Sequence, residues 1–228
     1  NLFGLVSLYY LSRPAGQQYW PIIVCAGTAA ALCNFTGLMA LPVAILVLLR
    51  ERSPQRWPLL LLLTTICVLY VHHEKNENQI VLSALRQSDK LLTSAYIVID
   101  TLGKMIPYLL RYLASPLSRE WPVTGSVLSV TGLAIACYYW LRHYRDTCAS
   151  RPLSSWQRLC LYIATYIAAS AVFTAFGRII YPNSAVAERY QTLVLPWLPA
   201  LFGLVWPDLR RYRWGVIVWL VIFACYLL

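Results

Sequence analysis

Four polar residues lie in a short connection between two long apolar runs, where charge is costly unless it is paired or hydrated. They are Arg178, Glu188, Arg189 and Tyr190. A guanidinium is a planar, permanently charged fork suited to phosphate or carboxylate, and its long stem reaches polar surroundings. Two such groups beside one carboxylate predict a site for an anionic head group such as a lipid pyrophosphate. A structural salt bridge from either arginine to Glu188 is an equally good alternative.

A weaker candidate follows directly on an earlier apolar run. His72, His73 and Glu74 are adjacent groups that could bind a divalent metal or supply a general base. Neighbouring positions on a helix point about 100° apart, so a metal would need further ligands from elsewhere. We therefore expect a polar helix end among lipid head groups and no metal site.

Two other carboxylates, Asp100 and Glu120, lie close to apolar sequence. Either could act as a catalytic base, but their neighbours Lys104 and Arg119 favour simple ion pairs. The sequence contains none of the phosphate-binding, zinc-protease or serine-hydrolase motifs of soluble enzymes. The sequence therefore indicates no definite cofactor. The one cofactor that His72, His73 and Glu74 could bind is a divalent metal ion.

The composition identifies the elements that must position these residues. The chain of 228 residues is 59% hydrophobic and 12% charged, whereas soluble domains average about 25% charged residues. Several apolar runs approach the roughly 20 residues needed to cross a hydrocarbon layer. The net charge of +10 comes from arginine clusters between apolar runs, as in cytoplasmic loops. We expect an all-α, polytopic transmembrane bundle whose partners are membrane lipids and not nucleic acid.

The apolar runs predict about seven to eight spans in a single membrane domain over 1–228. The uncharged run 19–49 would form a helix of about 46 Å, too long for one span, so we expect a turn at 33–37. The predicted spans are 1–12, 18–33, 37–50, 57–72, 123–141, 158–177, 191–206 and 213–228. Segment 72–122 mixes charged and apolar residues, which predicts amphipathic or re-entrant helices near the interface.

The distribution of charge predicts the orientation. If successive spans cross the membrane in opposite directions, eleven basic residues fall on one side of it. The only acidic residues on that side are Glu51, Asp146 and Asp208. The eleven are Arg13, Arg50, Arg52, Arg56, Arg142, Arg145, Arg151, Arg158, Arg210, Arg211 and Arg213. Short cytoplasmic loops are enriched in arginine and lysine, so 177–191 and 72–122 are predicted to be extracytoplasmic. We expect a multi-pass integral membrane protein.

Three motifs resemble those of GT-C-type glycosyltransferases and their uncharacterised relatives. One is an apolar span, Gly-Arg, about ten residues and Arg-Tyr before the next span. Here it reads Gly177, Arg178, Ala185, Glu188, Arg189 and Tyr190, with Glu188 as a departure from the pattern. The others are ALCNFTGLMALPVAILVLLR at 31–50 and YLLRYLASPL at 108–117. Together the three motifs extend over most of the chain.

The resemblance implies an envelope-glycan protein of the bacterial cytoplasmic (inner) membrane that handles a polyprenyl-phosphate-linked sugar on the extracytoplasmic face. Arg178 and Arg189 would hold the lipid-linked phosphate. The catalytic carboxylate of such proteins usually lies in a first outer loop, which would precede Asn1. Because the chain opens on Asn1 rather than on Met and is apolar directly afterwards, we expect it to be the C-terminal part of a longer protein. The alternative is a non-enzymatic membrane component: a flippase, a transporter subunit or a structural partner.

Overall fold

The computed structural model is all-helical, which confirms the predicted fold class. It describes residues 2–14, 17–33, 39–51, 91–115, 121–145, 153–178 and 194–210, with isolated positions between 57 and 65 and at 217 and 221. These residues form α1 (Leu2–Leu11), α2 (Trp20–Cys33), α3 (Ala40–Glu51), α4 (Leu91–Leu113), α5 (Pro122–Arg145), α6 (Ser155–Arg178) and α7 (Trp197–Leu209). No strand occurs in these segments.

Six of these helices coincide, to within a few residues, with the predicted apolar segments. The long uncharged run contains α2, which ends at Cys33, and α3, which begins at Ala40. The turn between them, and the predicted spans 57–72 and 213–228, lie outside the described residues apart from isolated positions. Helix α4 falls in the segment predicted to hold amphipathic or re-entrant helices.

Helix α6 is the centre of the bundle. It contacts α1, α3, α4, α5 and α7, and its side chains are buried on several faces. Tyr162 and Leu161 are fully buried, and so are the small residues Ala164, Ala171 and Ala175. Small side chains let neighbouring helices approach closely, which is the usual way that apolar helices pack in membranes.

Helices α5 and α7 run parallel to each other and antiparallel to α6. Gly132 of α5 lies against Trp197 near the start of α7. Further along, the Tyr139 hydroxyl donates to Asp208 near the end of α7. Gln157, in the first turn of α6, donates to the Leu204 carbonyl in the second half of α7. The end of α5, the start of α6 and the end of α7 therefore lie together.

Two helix boundaries differ from prediction for local reasons. Helix α6 begins earlier because Ser154 and Gln157 form a capping box, in which each side chain accepts the other's backbone N–H at 3.2 Å. Helix α7 begins only after Pro196 and continues through Pro207. Proline lacks an N–H group, but the Arg210 N–H still donates to the Trp206 carbonyl at 2.9 Å, so the last turn is retained.

Among the described residues, Pro122–Arg145 is the one helix both long and apolar enough to cross a membrane. Helix α4 has a comparable length but carries Asp100, Lys104 and Arg111 along one exposed face. Among the side chains of α4 that the structure describes, Tyr108, Tyr112 and Leu113 are buried, and they lie in its C-terminal half. The Ser129 hydroxyl of α5 donates to the Leu110 carbonyl at 2.8 Å, which attaches this half of α4 to the bundle.

Candidate functional site

The predicted anion site lies mostly outside the described residues. Arg178 is the last residue of α6, and only its place on the helix is described. Glu188, Arg189 and Tyr190 fall outside the described part of the chain. The described feature of this site is therefore an arginine at one end of the central helix.

Only one of the weaker candidates lies in the part of the chain that the structure describes. His72, His73, Glu74 and Glu120 lie outside the described residues. Asp100 is described and is exposed on α4, where it forms an ion pair with Lys104 four residues later, at 2.5 Å. The expected ion pair is present, and an exposed carboxylate held by lysine is poorly placed to act as a general base. Within the described segments, no three His, Cys, Asp or Glu residues form a metal-binding group.

A polar cluster that the sequence did not predict lies at the other end of α6. Asp208 of α7 accepts a hydrogen bond of 2.6 Å from the Tyr139 hydroxyl of α5. The same carboxylate oxygen lies 3.3 Å from a guanidinium nitrogen of Arg142. The guanidinium carbon of Arg142 also lies 5.8 Å from the centre of the Tyr139 ring. These contacts connect the ends of α5 and α7.

A second set of contacts connects α5 to α6 at the same end. The Trp140 indole donates to the Thr165 hydroxyl at 2.6 Å, and Thr165 in turn donates to the Leu161 carbonyl. The Trp140 ring stacks on Tyr162 with centroids 5.9 Å apart. The Tyr162 hydroxyl lies 3.3 Å from the Nε2 atom of His143, which is buried. Each polar group named here has a hydrogen-bonding partner, as buried polar groups generally do.

This end of the bundle also carries the arginines that follow the apolar runs. Arg142 and Arg145 lie in the last turn of α5, Arg158 near the start of α6 and Arg210 just after α7. Arg178 lies twenty residues beyond Arg158 on the same helix, a rise of about 30 Å. No charged residue occurs between these two arginines.

The sequence contained a partial signal for this cluster. Tyr138, Tyr139 and Trp140 form an aromatic run at the end of a predicted span. Such a run predicts side chains that lie at the membrane–water interface. Tyr138 is indeed exposed, but Tyr139 is buried and binds Asp208. Asp208 lies 69 residues away in sequence. The hydrogen bond depends on how α5 packs against α7, which the local sequence does not reveal.

Comparison of the chain with family models, with curated proteins and with solved structures returned no match. The likeness to GT-C-type glycosyltransferases therefore stays a prediction from the three motifs.

Proposed function

We propose that this chain is a polytopic domain of the bacterial cytoplasmic membrane with about seven to eight spans. The main support is the polarity of α5. Its exposed face is an apolar stripe, in which the exposed fractions of Val123, Val127, Val130 and Leu141 are 75%, 59%, 53% and 58%. The stripe consists of Val123, Val127, Val130, Ala134, Tyr138 and Leu141. The polar residues exposed beside it are Thr124 and Thr131, and the Thr131 hydroxyl donates to the Val127 carbonyl within the helix. Surface helices of soluble proteins have the reverse arrangement, with apolar residues inward.

The buried face of α5 supports the same proposal. It consists of small or polar residues at intervals of three and four: Gly125, Ser129, Gly132, Ala136, Tyr139 and His143. Helices in lipid gain no hydrophobic energy by associating, so they pack through small residues and interhelical hydrogen bonds. The hydrogen bonds of Ser129 to Leu110 and of Tyr139 to Asp208 are of this kind.

The length of α6 supports a spanning position. About 30 Å separates Arg158 from Arg178 along the helix, and the hydrocarbon core of a bilayer is also about 30 Å thick. An uncharged helix with an arginine at each limit matches that thickness, because both guanidiniums then reach the polar interfaces. The Arg158 end also carries Arg142, Arg145 and Arg210, and such enrichment is typical of the cytoplasmic side. We therefore infer that Arg178 lies on the extracytoplasmic side, together with 177–191 and 72–122.

We infer that the Arg178 end holds a lipid-linked phosphate, as in a GT-C-like glycosyltransferase or envelope-glycan assembly protein. The observation that carries this inference is the place of Arg178 at the end of the central helix, away from the arginines of the other end. Arginine enrichment of cytoplasmic loops does not account for an arginine there. Arg189, with Glu188 and Tyr190, would complete the site, and the substrate would be a polyprenyl-phosphate-linked sugar.

One observation favours the non-enzymatic alternative. Both carboxylates whose side chains the structure describes are engaged, Asp100 with Lys104 and Asp208 with Tyr139 and Arg142. Catalysis would then need a base from elsewhere, such as Glu74, Glu120 or a segment before Asn1. A domain that binds the lipid carrier as a flippase or transporter subunit, or as a structural partner, needs no such base.

Substitution at the proposed site tests the phosphate-binding role. We expect Arg178→Ala and Arg189→Ala each to weaken binding of polyprenyl phosphate by about tenfold, because each removes a charge-assisted hydrogen bond. Binding is measured by titrating the purified chain in nanodiscs with a fluorescent polyprenyl phosphate. Lys104→Ala is the control, since that cation is already paired with Asp100. Unchanged affinity in both arginine variants would exclude the phosphate role and leave the salt-bridged hairpin.

A further inference from the structure

The apolar stripe of α5 ends in a cation. Tyr138, Leu141 and Arg145 follow one another at intervals of three and four residues, so Arg145 continues the stripe on the same face. Both Arg145 and Leu141 are exposed. The face therefore presents a long apolar surface with one positive charge at its end, which is the complement of a lipid with an acidic head group.

The positive charge at this end is largely uncompensated within the described residues. Asp208 is the one carboxylate at this end whose side chain the structure describes, and it is bound to Tyr139 and Arg142. Arg145 and Arg210 are exposed and form no ion pair with a described carboxylate. Within the described residues, Arg145 and Arg210 thus offer anions guanidinium groups that no carboxylate neutralises, each able to bind a phosphate through two parallel N–H groups.

Aromatic side chains mark the depth at which the head group would lie. Tyr138, Tyr144, Trp156 and Trp206 are all exposed at this end of the bundle. Tyrosine and tryptophan prefer the boundary between hydrocarbon and head groups, because one part of the ring is apolar and another is polar. Arg145 thus lies at the level of lipid phosphates.

We propose that an anionic phospholipid binds along α5, with its acyl chain on the apolar stripe and its phosphate on Arg145. Basic residues at the cytoplasmic ends of spanning helices recognise acidic lipids in this way. A second copy of the chain is a poorer occupant, because a copy inserted in the same orientation would bring its own arginines to the same depth. The proposal rests on membrane embedding of α5 and not on the phosphate site at the opposite end.

Native mass spectrometry of the chain from nanodiscs tests this proposal. The probes are nanodiscs of phosphatidylcholine with a stated fraction of phosphatidylglycerol. We expect the wild-type chain to retain phosphatidylglycerol in preference to phosphatidylcholine, and Arg145→Gln to reduce the retained phosphatidylglycerol about fivefold. Arg145→Lys, which keeps the charge, should retain part of it. Glycerol phosphate, which lacks acyl chains, should not compete.

A matched control is Arg13→Gln, which removes the same charge at the same predicted interface. The Arg13 guanidinium is already engaged by Tyr9, as its central carbon lies 4.8 Å from that ring, so its loss should leave lipid retention unchanged. An equal fall in both variants, or no fall in Arg145→Gln, would overturn the proposal. Binding of polyprenyl phosphate should be normal in Arg145→Gln, which separates this site from the one near Arg178.

Discussion

Replacement of Val130 by lysine is expected to cost the inserted chain about 3 kcal/mol. Val130 is exposed and lies near the middle of α5, where a charge would enter the hydrocarbon core. On a soluble protein the same exposed substitution would change stability by no more than about 0.5 kcal/mol. Because these two values differ so much, the experiment shows whether the exposed face of α5 contacts lipid or water.

The cost is measured as the membrane-inserted fraction in a translocon insertion assay, with thermal unfolding in detergent as a second readout. The control is Val123→Lys, which places lysine on the same stripe seven residues earlier. There the ammonium group can reach the interface along its flexible stem, so a small effect is expected. If Val130→Lys is as mild as Val123→Lys, the stripe does not face lipid.

Alanine at Gly132 is expected to destabilise the bundle by about 1 to 3 kcal/mol through overpacking. A Cβ atom on Gly132 would lie 2.6 Å from Leu201 Cδ1 and 2.9 Å from Trp197 Cζ2. The leucine methyl can shift, but the rigid Trp197 ring is fully buried and has little room to move. Helices α5 and α7 would therefore have to separate at this crossing. Thermal unfolding of the purified chain in detergent measures the loss.

Gly103→Ala is the matched control for this substitution. Gly103 is also inside a helix, α4, but nothing lies within 4 Å of a Cβ atom placed there. Alanine favours helix over glycine by about 1 kcal/mol, so this variant should be as stable as the wild-type chain or slightly more stable. Equal behaviour of the two variants would mean that α5 and α7 do not make this close contact.

Much of the fold could be predicted from local sequence. Long uncharged runs identified most of the helices, and α2 and α3 flank the predicted turn at 33–37, which itself lies outside the described residues. The early start of α6 could also have been predicted, because Ser154 and Gln157 have the spacing of a capping box. The buried face of α5 is also visible in sequence as small and polar residues at helical spacing, which a search for apolar stripes alone overlooks.

The neighbours of each helix could not be predicted in this way. The central place of α6 depends on side-chain shape along several faces at once, and apolar composition does not specify which helices meet. Contacts such as Tyr139 with Asp208 join residues far apart in sequence. The predicted phosphate site near Arg178 depends on such packing too, and its other members lie outside the described residues.

We propose that α6 crosses the membrane, with Arg158 and Arg178 at opposite faces. Single cysteines at Ser155 and Ser184, introduced in a background without the seven native cysteines, test it most directly. A membrane-impermeant maleimide is added to intact spheroplasts and to inverted membrane vesicles. We expect labelling of Ser184→Cys in spheroplasts only and of Ser155→Cys in inverted vesicles only. Labelling of both positions from the same side would contradict it.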